Sequence, residues 1–269
     1  MIAFPNCKVN LGLHVTAARP DGYHNLETFF YPLAVHDALE IIPAVAPRFT
    51  ATGLDIPGDP DDNLCLKAWH LLKNDFPALP PVAIYLHKAI PLGAGLGGGS
   101  ADGAFMLRML NERFSLGCSL ERLEEYAARL GSDCSFFIRN TPALATGRGE
   151  MLEPFALDLS GYSWLLVCPP LHVSTAWAYR QLEPHPPAAP LRELLSLPVL
   201  AWKDRLVNDF EAPVMAAHPE IARIREQLYA AGAFYAALSG SGAAVFAIFP
   251  KNKIAALPWE SGYRVFSIP

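Results

Sequence analysis

A run of glycines between a predicted strand and a predicted helix is the strongest chemical signal in the sequence. Five of the seven residues from Gly93 to Gly99 are glycine, and Ser100 follows where the helix begins. Glycine permits positive φ angles and close approach of the backbone, and the first amides of a helix carry a partial positive charge. We therefore interpret the run as an anion site suited to polyphosphate; the alternative is a flexible turn.

Two nucleotide-binding fingerprints do not fit this context. The spacing of Gly93, Gly95 and Gly98 matches the dinucleotide pattern, which needs an acidic residue about 20 positions later, at the end of a second parallel strand. The acidic residues near that position, Glu121 and Glu125 among them, lie in a predicted helix. A P-loop is excluded because no Gly-Lys-Ser or Gly-Lys-Thr follows the glycines.

A second group of candidate residues lies on the first predicted strand. Apolar residues alternate with other residues from position 8 to position 16, which is the period-two pattern of a strand with one buried face. The pattern places Lys8, Asn10 and His14 together on the opposite face.

The predicted strands and helices that carry these residues occur in an order typical of an α+β protein. Strands at 26–33 and 38–42 complete an antiparallel meander, a helix spans 63–74, a strand spans 82–88, a buried apolar helix spans 101–110, and a helix capped by Ser119 ends at Gly131. Later segments are a strand at 164–168, helices at 202–210 and 219–230, a strand-turn-strand centred on 239–242, and a strand at 263–268. Their order divides the chain near residue 150, into an N-terminal domain, 1–150, and a C-terminal domain, 151–269.

Composition excludes several classes of function. The 269 residues are 52% apolar and 17% charged, which excludes extensive disorder, and the net charge of -5 gives no general attraction to nucleic acid or anionic membranes. The five cysteines lack metal-binding spacing and no signal peptide is visible, so we expect a cytoplasmic location. Residues 227–250 carry no charge, but the Ser-Gly repeat at their middle favours two strands over a membrane helix.

Three segments together resemble the motifs of the GHMP small-molecule kinases. They are Pro5–Leu11 with Arg19–His24, Pro91–Asp102, and Leu238–Ala243. The resemblance implies a two-lobed GHMP kinase fold, whose N-terminal half is related to a fold seen in ribosomal proteins and whose C-terminal half is ferredoxin-like. It also implies transfer of the γ-phosphoryl group of ATP to an alcohol. The Pro-Asp-Gly-Tyr-His element is similar to that of family members whose alcohol carries a cytidine diphosphate.

The resemblance implies a catalytic pair, Lys8 and Asp133, with Asp133 as the general base. From the residues alone, Asp133 is equally suited to cap the helix that follows it, and a lysine on a strand is more often solvated. The positions implied to bind ATP are Asn63, Lys88, Pro91, Gly93, Ala94, Gly95, Leu96, Gly97, Gly98, Gly99, Ser100 and Ala101.

The positions implied to bind the alcohol substrate lie at both ends of the chain. They are Asn10, Tyr23, His24, Tyr179, Ser239, Gly240, Ser241 and Gly242. Among them, Tyr179 is expected to close an aromatic slot over the cytosine base. A surface loop at Tyr23 and His24, and a simple hairpin turn at 239–242, are the alternatives.

The expected cofactor is ATP, with Mg²⁺ bound mainly through the nucleotide and no metal site made by the protein alone. The expected partners are two small molecules, ATP and the alcohol, with no nucleic acid or membrane, and a monomer or homodimer. Two alternatives remain: a GHMP kinase acting on a sugar or a mevalonate derivative, and a non-enzymatic RNA-binding module of related fold. A nicotinamide enzyme is a third.

Overall fold

The computed structural model describes residues 1–254 and 256–269 and confirms the mixed α+β content. The strands are β1 (Ile2–Ala3), β2 (Asn6–Ala18), β3 (His24–His36), β4 (Ala38–Pro43), β5 (Arg48–Gly53), β6 (Val82–Lys88), β7 (Ala143–Thr146), β8 (Met151–Pro154), β9 (Tyr162–Cys168), β10 (Tyr235–Leu238), β11 (Val245–Pro250) and β12 (Arg264–Ile268). The α-helices are α1 (Leu64–Asp75), α2 (Gly98–Arg113), α3 (Leu120–Leu130), α4 (Cys134–Arg139), α5 (Thr175–Arg180), α6 (Leu191–Leu195), α7 (Glu211–Ala217) and α8 (Pro219–Ala230).

The chain forms two compact units that interleave along the sequence. Unit 1 contains residues 1–8, 34–92 and 97–141, and unit 2 contains residues 9–33, 93–96 and 142–269. Long strands explain the interleaving, because β2 and β3 each contribute residues to both units. These units are defined by contacts within the structure and not by family domains. The domain boundary near residue 150 therefore stays a prediction.

Unit 1 combines a four-stranded sheet with helices α1 to α4. The sheet has the strand order β1-β4-β6-β5, in which only β5 and β6 are parallel. Helix α2 begins three residues earlier than the sequence predicts, at Gly98, and is buried along most of its length. Its apolar residues explain this burial, since Leu107 and Leu110 are fully enclosed. The predicted cap of α3 by Ser119 and its end at Gly131 are confirmed.

The strand predicted from Lys8 onward is confirmed, but its burial differs from the prediction. All residues of β2 from Asn6 to Val15 are buried, so both faces of the strand are covered. The polar face is therefore enclosed, and Lys8, Asn10 and His14 are between 2% and 6% exposed. Polar groups at such positions need partners, because an unpaired buried group costs free energy.

The predicted antiparallel meander is wrong in one respect. β2 and β3 are neighbours in a sheet with the order β2-β3-β7-β8, whereas β4 pairs with β1 and β6 in another sheet. The strands β3 and β4 are separated by Asp37 alone, and the backbone amide of Asp37 donates to the carbonyl of Pro5. At Asp37, which has buried hydrogen-bond partners, the chain passes from one sheet to the other. The alternation of apolar residues along a strand does not indicate such a change of sheet.

Unit 2 contains a four-stranded antiparallel sheet with the order β10-β11-β9-β12. Helix α8 packs on β10 and β11. Apolar side chains of the sheet and of the helix, including Leu165, Val245 and Ile221, form one continuous core. The strand-turn-strand at 239–242, the helix at 219–230 and the last strand are confirmed.

The helix predicted at 202–210 is wrong. Turns occupy this segment, and Asn208 forms an isolated bridge with Leu13 before α7 begins at Glu211. Trp202, Leu206 and Phe210 have helical spacing, yet each is buried by tertiary packing of an irregular segment. Throughout residues 1–254 and 256–269, no helix is long and apolar enough to cross a membrane.

Candidate active site

The glycine run adopts alternating left-handed conformations. Gly93, Gly95 and Gly97 have φ angles of +64°, +76° and +69°, which a residue with a side chain adopts only at a cost. The side chains between them, Ala94 and Leu96, are buried at 7% and 1% exposure. This alternation turns the apolar residues into the core, so the positions predicted to bind ATP at 94 and 96 offer only their backbone groups.

In unit 2, the first half of the run touches the Ser-Gly loop between β10 and β11. A Cβ atom on Gly95 would lie 1.9 Å from the carbonyl oxygen of Ser239, so the two backbones are in direct contact. The hydroxyl of Ser239 donates to the carbonyl of Gly95 at 2.9 Å, and the amide of Ala244 donates to the carbonyl of Ala94 at 3.2 Å. Residues 239–242 therefore connect two antiparallel strands as a hairpin, and Ser239 within it is fully buried. Binding of the substrate by this loop stays a prediction.

In unit 1, the second half of the run starts α2. The carbonyl of Gly97 accepts the amide of Ala101 at 2.8 Å, which leaves the amides before Ala101 without an acceptor inside the helix. A Cβ atom on Gly99 would meet no atom within 4 Å, so the space beside this residue is open. Open space beside unpaired helix amides is the environment that binds phosphate groups in proteins.

Lys8 and Asp133 form an ion pair in unit 1. The ammonium nitrogen of Lys8 lies 3.2 Å from Oδ2 of Asp133, and the two side chains are 4% and 33% exposed. Asp133 occupies the residue before α4, but its carboxylate makes no capping hydrogen bond. The capping alternative is thus wrong, as is a solvated Lys8. The pair leaves one carboxylate partly open to a substrate, with a buried positive charge beside it.

The pair lies next to the start of α2. A Cβ atom on Gly97 would be 3.2 Å from Cε of Lys8 and 3.1 Å from the ring of Phe137. The structure therefore brings together Lys8, Asp133 and the first turn of α2, which the sequence predicts to bind phosphate. Their catalytic roles stay predictions.

Lys88 has a different environment from the one predicted. Its ammonium group is 1% exposed and contacts two carboxylates, that of Asp37 and, at 2.8 Å, that of Asp102. Because these bonds occupy the ammonium group, the side chain is directed into the protein interior, and a contact of Lys88 with ATP stays a prediction. Sequence reasoning missed both carboxylates, although an aspartate inside an otherwise apolar helix is a visible signal.

Asn63 borders a cavity of unit 1. The cavity has a volume of about 320 Å³ and is lined by the end of β5, the loop at 54–60, and Asn63. Asn63 also caps α1, since its Oδ1 accepts the amide of Cys65 at 2.9 Å. This capping role is sufficient to explain an asparagine at the start of a helix, even if no ligand binds there. Binding of adenosine near Asn63 therefore stays a prediction. Pro91 is only partly buried at the start of the glycine run.

His24 and Tyr179 meet in unit 2. Their rings are stacked, with centroids 4.8 Å apart and planes inclined at 19°. Because the two rings are in direct contact, no base fits between them in this arrangement. The aromatic slot that Tyr179 is expected to close over the cytosine stays a prediction. Tyr23 is 55% exposed and lies under the guanidinium of Arg148.

The remaining predicted substrate positions are held by buried hydrogen bonds in unit 2. The amide nitrogen of Asn10 donates to the hydroxyl of Thr28 at 3.0 Å, and the hydroxyls of Ser241 and Thr175 lie 2.9 Å apart. The side chain of Asn208 donates to the carbonyls of residues 238 and 240 at 2.9 and 2.8 Å, and so holds the Ser-Gly loop. Sequence reasoning missed Asn208 and Thr175, because neither belongs to a motif.

Comparisons with known proteins give consistent results. Residues 63–141 match the family described as GHMP kinases N terminal domain, and residues 191–257 match GHMP kinases C terminal. A relative from Bacteroides fragilis (strain YCH46), named 4-diphosphocytidyl-2-C-methyl-D-erythritol kinase, is 52% identical and aligns over 98% of this chain and 97% of its own. A relative of the same name from Parabacteroides distasonis is 51% identical, over 93% and 92%.

A solved structure is also similar. It is the crystal structure of a 4-(cytidine 5'-diphospho)-2C-methyl-D-erythritol kinase, with a TM-score of 0.78, 33% sequence identity, and coverage of 92% of this chain and 90% of that chain. The expected fold class is confirmed by this similarity and by the family matches.

The contact between Gly95 and Ser239 generates a prediction about stability. Gly95→Ala places a Cβ atom 1.9 Å from the Ser239 carbonyl at a φ of +76°. We expect the free energy of unfolding to fall by about 1–3 kcal/mol, measured by thermal or denaturant unfolding. Gly99→Ala is the matched control. A Cβ atom at this position of α2 meets open space, and alanine favours a helix more than glycine does, so stability should be unchanged or slightly higher. Equal stability of the two variants would contradict the contact.

Proposed function

This chain belongs to the GHMP kinase family of ATP-dependent small-molecule kinases, and we propose that the alcohol it phosphorylates is 4-diphosphocytidyl-2-C-methyl-D-erythritol. The family membership follows from the relatives and family matches above. The observation that carries the proposed chemistry is the pair of Lys8 and Asp133 beside the first turn of α2. The substrate is that of the relatives' name, which places the reaction in the non-mevalonate, methylerythritol phosphate route to isoprenoids.

In the proposed reaction, Asp133 acts as the general base for the tertiary hydroxyl group. The hydroxyl proton moves to the Asp133 carboxylate, the alcohol oxygen bonds to the γ-phosphorus of ATP, and the bond from that phosphorus to the bridging oxygen breaks to leave ADP. The ammonium group of Lys8 stabilises the negative charge that develops on the reacting oxygens. Its 4% exposure makes this electrostatic effect stronger than it would be in water.

The glycine run serves ATP in this proposal. The amides at the start of α2 hold the phosphates, and the open space beside Gly99 admits them. The cavity at Asn63 is the proposed place of the adenosine part. In this proposal Mg²⁺ is bound mainly through the phosphates of ATP. When bound, the metal neutralises phosphate charge.

The cytidine diphosphate end of the substrate is assigned to unit 2. The outer face of the ring pair of His24 and Tyr179 supplies a stacking surface, and stacking is worth about 1–3 kcal/mol per base. Stacking accepts any base, so selection of cytosine requires hydrogen bonds to its edge. Tyr23 and Asn10 are the proposed polar contacts, together with the Ser-Gly loop.

The alternatives are separated by their substrates and partners. A sugar or mevalonate kinase of the same fold has no base to bind and needs no stacking surface, whereas this chain has one. An RNA-binding module would carry a basic face, and the net charge of -5 disfavours it. The cytoplasmic location and the monomeric or homodimeric state stay predictions.

The proposed substrate is tested by a coupled assay of ADP release. We expect turnover with diphosphocytidyl-methylerythritol and none above background with galactose, homoserine or mevalonate. The physical reason is that the stacking surface contributes only when a base is present. Turnover with one of the other alcohols at a similar rate would refute the assignment of substrate.

The proposed base is tested by Asp133→Asn, which keeps the shape of the side chain but cannot accept the proton. We expect turnover to fall by about a hundredfold or more, with little change in affinity for ATP. Asp158→Asn, a change of an exposed carboxylate, is the control and should have native turnover. Near-native turnover of a folded Asp133→Asn protein would leave Asp133 without a catalytic role.

The cytidine contacts are tested by calorimetry. His24→Ala and Tyr179→Ala should each weaken binding of diphosphocytidyl-methylerythritol by about 1–3 kcal/mol and leave ATP affinity unaltered. Tyr85→Ala removes an exposed aromatic ring from β6, in unit 1, and should change neither affinity. If the two variants bind the substrate as tightly as the wild type, the base is held elsewhere.

A further inference from the structure

Two carboxylates share one ammonium group in the interior of unit 1. The side chains of Lys88, Asp37 and Asp102 are 1%, 0% and 4% exposed, and we call these three residues the Lys88 cluster. Oδ1 of Asp37 also accepts the amides of Ala89 and Ile90, at 2.6 and 2.8 Å. Asp37 is thus fully bonded. In contrast, Oδ1 of Asp102 is buried and has no hydrogen-bond partner among the described residues.

The Lys88 cluster joins the sheet of unit 1 to the start of α2. Lys88 ends β6 and Asp37 precedes β4, while Asp102 lies in the second turn of α2. A Cβ atom on Gly98 would be 3.0 Å from the ammonium nitrogen of Lys88 and 2.8 Å from Ile90. The first turn of α2 therefore rests directly on the cluster. Any change of charge in the cluster acts on the amides of that turn.

The charge of the Lys88 cluster is unbalanced. When both carboxylates are ionised, two negative charges face one positive charge, and the excess negative charge is buried within about two turns of the amides proposed to hold the phosphates. A buried charge without its own partner is costly, and protonation removes that cost. An anion at the start of α2 repels the same charge through a poorly screened interior.

We propose that Asp102 is a positioning residue that takes up a proton when ATP binds at the start of α2. The inference rests on the proposed ATP site at that turn. With Asp102 protonated, the cluster is neutral and Lys88 still fixes the helix through both side chains. With Asp102 ionised, the excess charge opposes the phosphates. The magnesium complex of ATP remains an anion, so the repulsion persists when the metal is bound.

The titration of Asp102 supports this coupling. Burial is the largest influence, Lys88 opposes it and Asp37 adds to it, which together raise the pKa of Asp102 to about 7. The groups that face Asp102 are Lys88 from β6, Asp37 before β4, and the thiol of Cys65 from α1, whose own pKa is raised well above its usual range by burial. Burial lowers the pKa of Lys88, but its two carboxylates outweigh this and raise it, so Lys88 stays charged.

The sign of the pH dependence follows from the raised pKa. Near neutral pH the free protein holds Asp102 partly ionised, and bound phosphate raises its pKa further. Binding of ATP therefore takes up protons, and the affinity for ATP falls as the pH rises through about 7 to 8. For folding, the same raised pKa means that the stability contributed by Asp102 declines as the pH rises from about 4 through 7.

The test is calorimetry of ATP binding, with excess Mg²⁺ and no alcohol, in buffers of different ionisation enthalpy. At about pH 7.5 we expect the wild type to take up about half a proton per ATP more than Asp102→Asn does. Asp102→Asn leaves Lys88 and Asp37 as a balanced pair, so this variant should fold. Its affinity for ATP should be nearly constant between about pH 6 and 8, whereas that of the wild type falls several-fold.

Asp75→Asn is the matched control in unit 1. Asp75 accepts hydrogen bonds from Arg122 and Tyr126, and the bond from Tyr126 chiefly lowers the pKa of Asp75, so it stays ionised at these pH values. Proton uptake by this variant should equal that of the wild type. Equal uptake by the wild type and Asp102→Asn would overturn the inference and leave the ATP site standing. A wild-type protein that binds no ATP would overturn the proposed site and this inference together.

A purely structural role for Asp102 gives a different result. In that case Asp102→Asn would lower the midpoint of thermal unfolding and weaken ATP binding equally at every pH, without altering proton uptake. That outcome also overturns the inference. Lys88→Met is unsuitable as the first variant, because it leaves two buried carboxylates facing each other.

Discussion

Gly93, Gly95 and Gly97 have φ angles between +64° and +76°, and this left-handed backbone is the constraint on which the packing of the predicted site residues in each unit depends. A positive φ angle disfavours any residue with a side chain. Neighbouring groups also occupy the positions where Cβ atoms would lie. In unit 2 the carbonyl of Ser239 lies where Gly95 would carry a Cβ atom, and in unit 1 the side chains of Lys8 and Phe137 crowd the same position of Gly97. The run is therefore a packed element of the fold, and its contacts restrict the positions of its backbone amides.

The two buried lysines of unit 1, Lys8 and Lys88, differ in the exposure of the carboxylates with which they pair, and the proposed roles of the two ion pairs differ accordingly. Lys8 pairs with a carboxylate that is one-third exposed, so Asp133 remains within reach of solvent and of a substrate. Lys88 pairs with two carboxylates that are almost completely enclosed. In the proposed reaction, the first arrangement exchanges a proton with the substrate directly. The second is proposed to act only through the position and charge of the helix that rests on it.

Unit 2 contributes a different kind of order. Asn208 holds the carbonyls of the Ser-Gly loop, and Thr175 holds Ser241 at the beginning of α5. The same helix carries Tyr179, whose ring is fixed between His24 and Phe210. The ring pair proposed to stack on a base is thus assembled by residues that are far apart in sequence, and Tyr179 packs on the core of unit 2. A rigid surface of this kind loses little side-chain entropy when a base stacks on it.

The sequence by itself determined much of the fold and the family. A period-two pattern located β2, and a capping serine and a terminal glycine located α3, because these signals are local. The composition of the glycine run marked it as a candidate anion site, and the resemblance to the GHMP kinases implied the pair of Lys8 and Asp133; the family matches agree with that resemblance. The confirmed elements are those whose burial and turn residues lie within one short segment.

Only the tertiary structure decided the rest. The sheet to which β4 belongs depends on hydrogen bonds that Asp37 makes to residues about 50 positions away, and no local pattern encodes them. The burial of both faces of β2, the direct stacking of His24 on Tyr179, and the use of Lys88 as an internal ion-pair partner likewise depend on which segments pack together. Side-chain type fixes what a residue can bind, whereas burial and long-range partners fix which of those possibilities it uses.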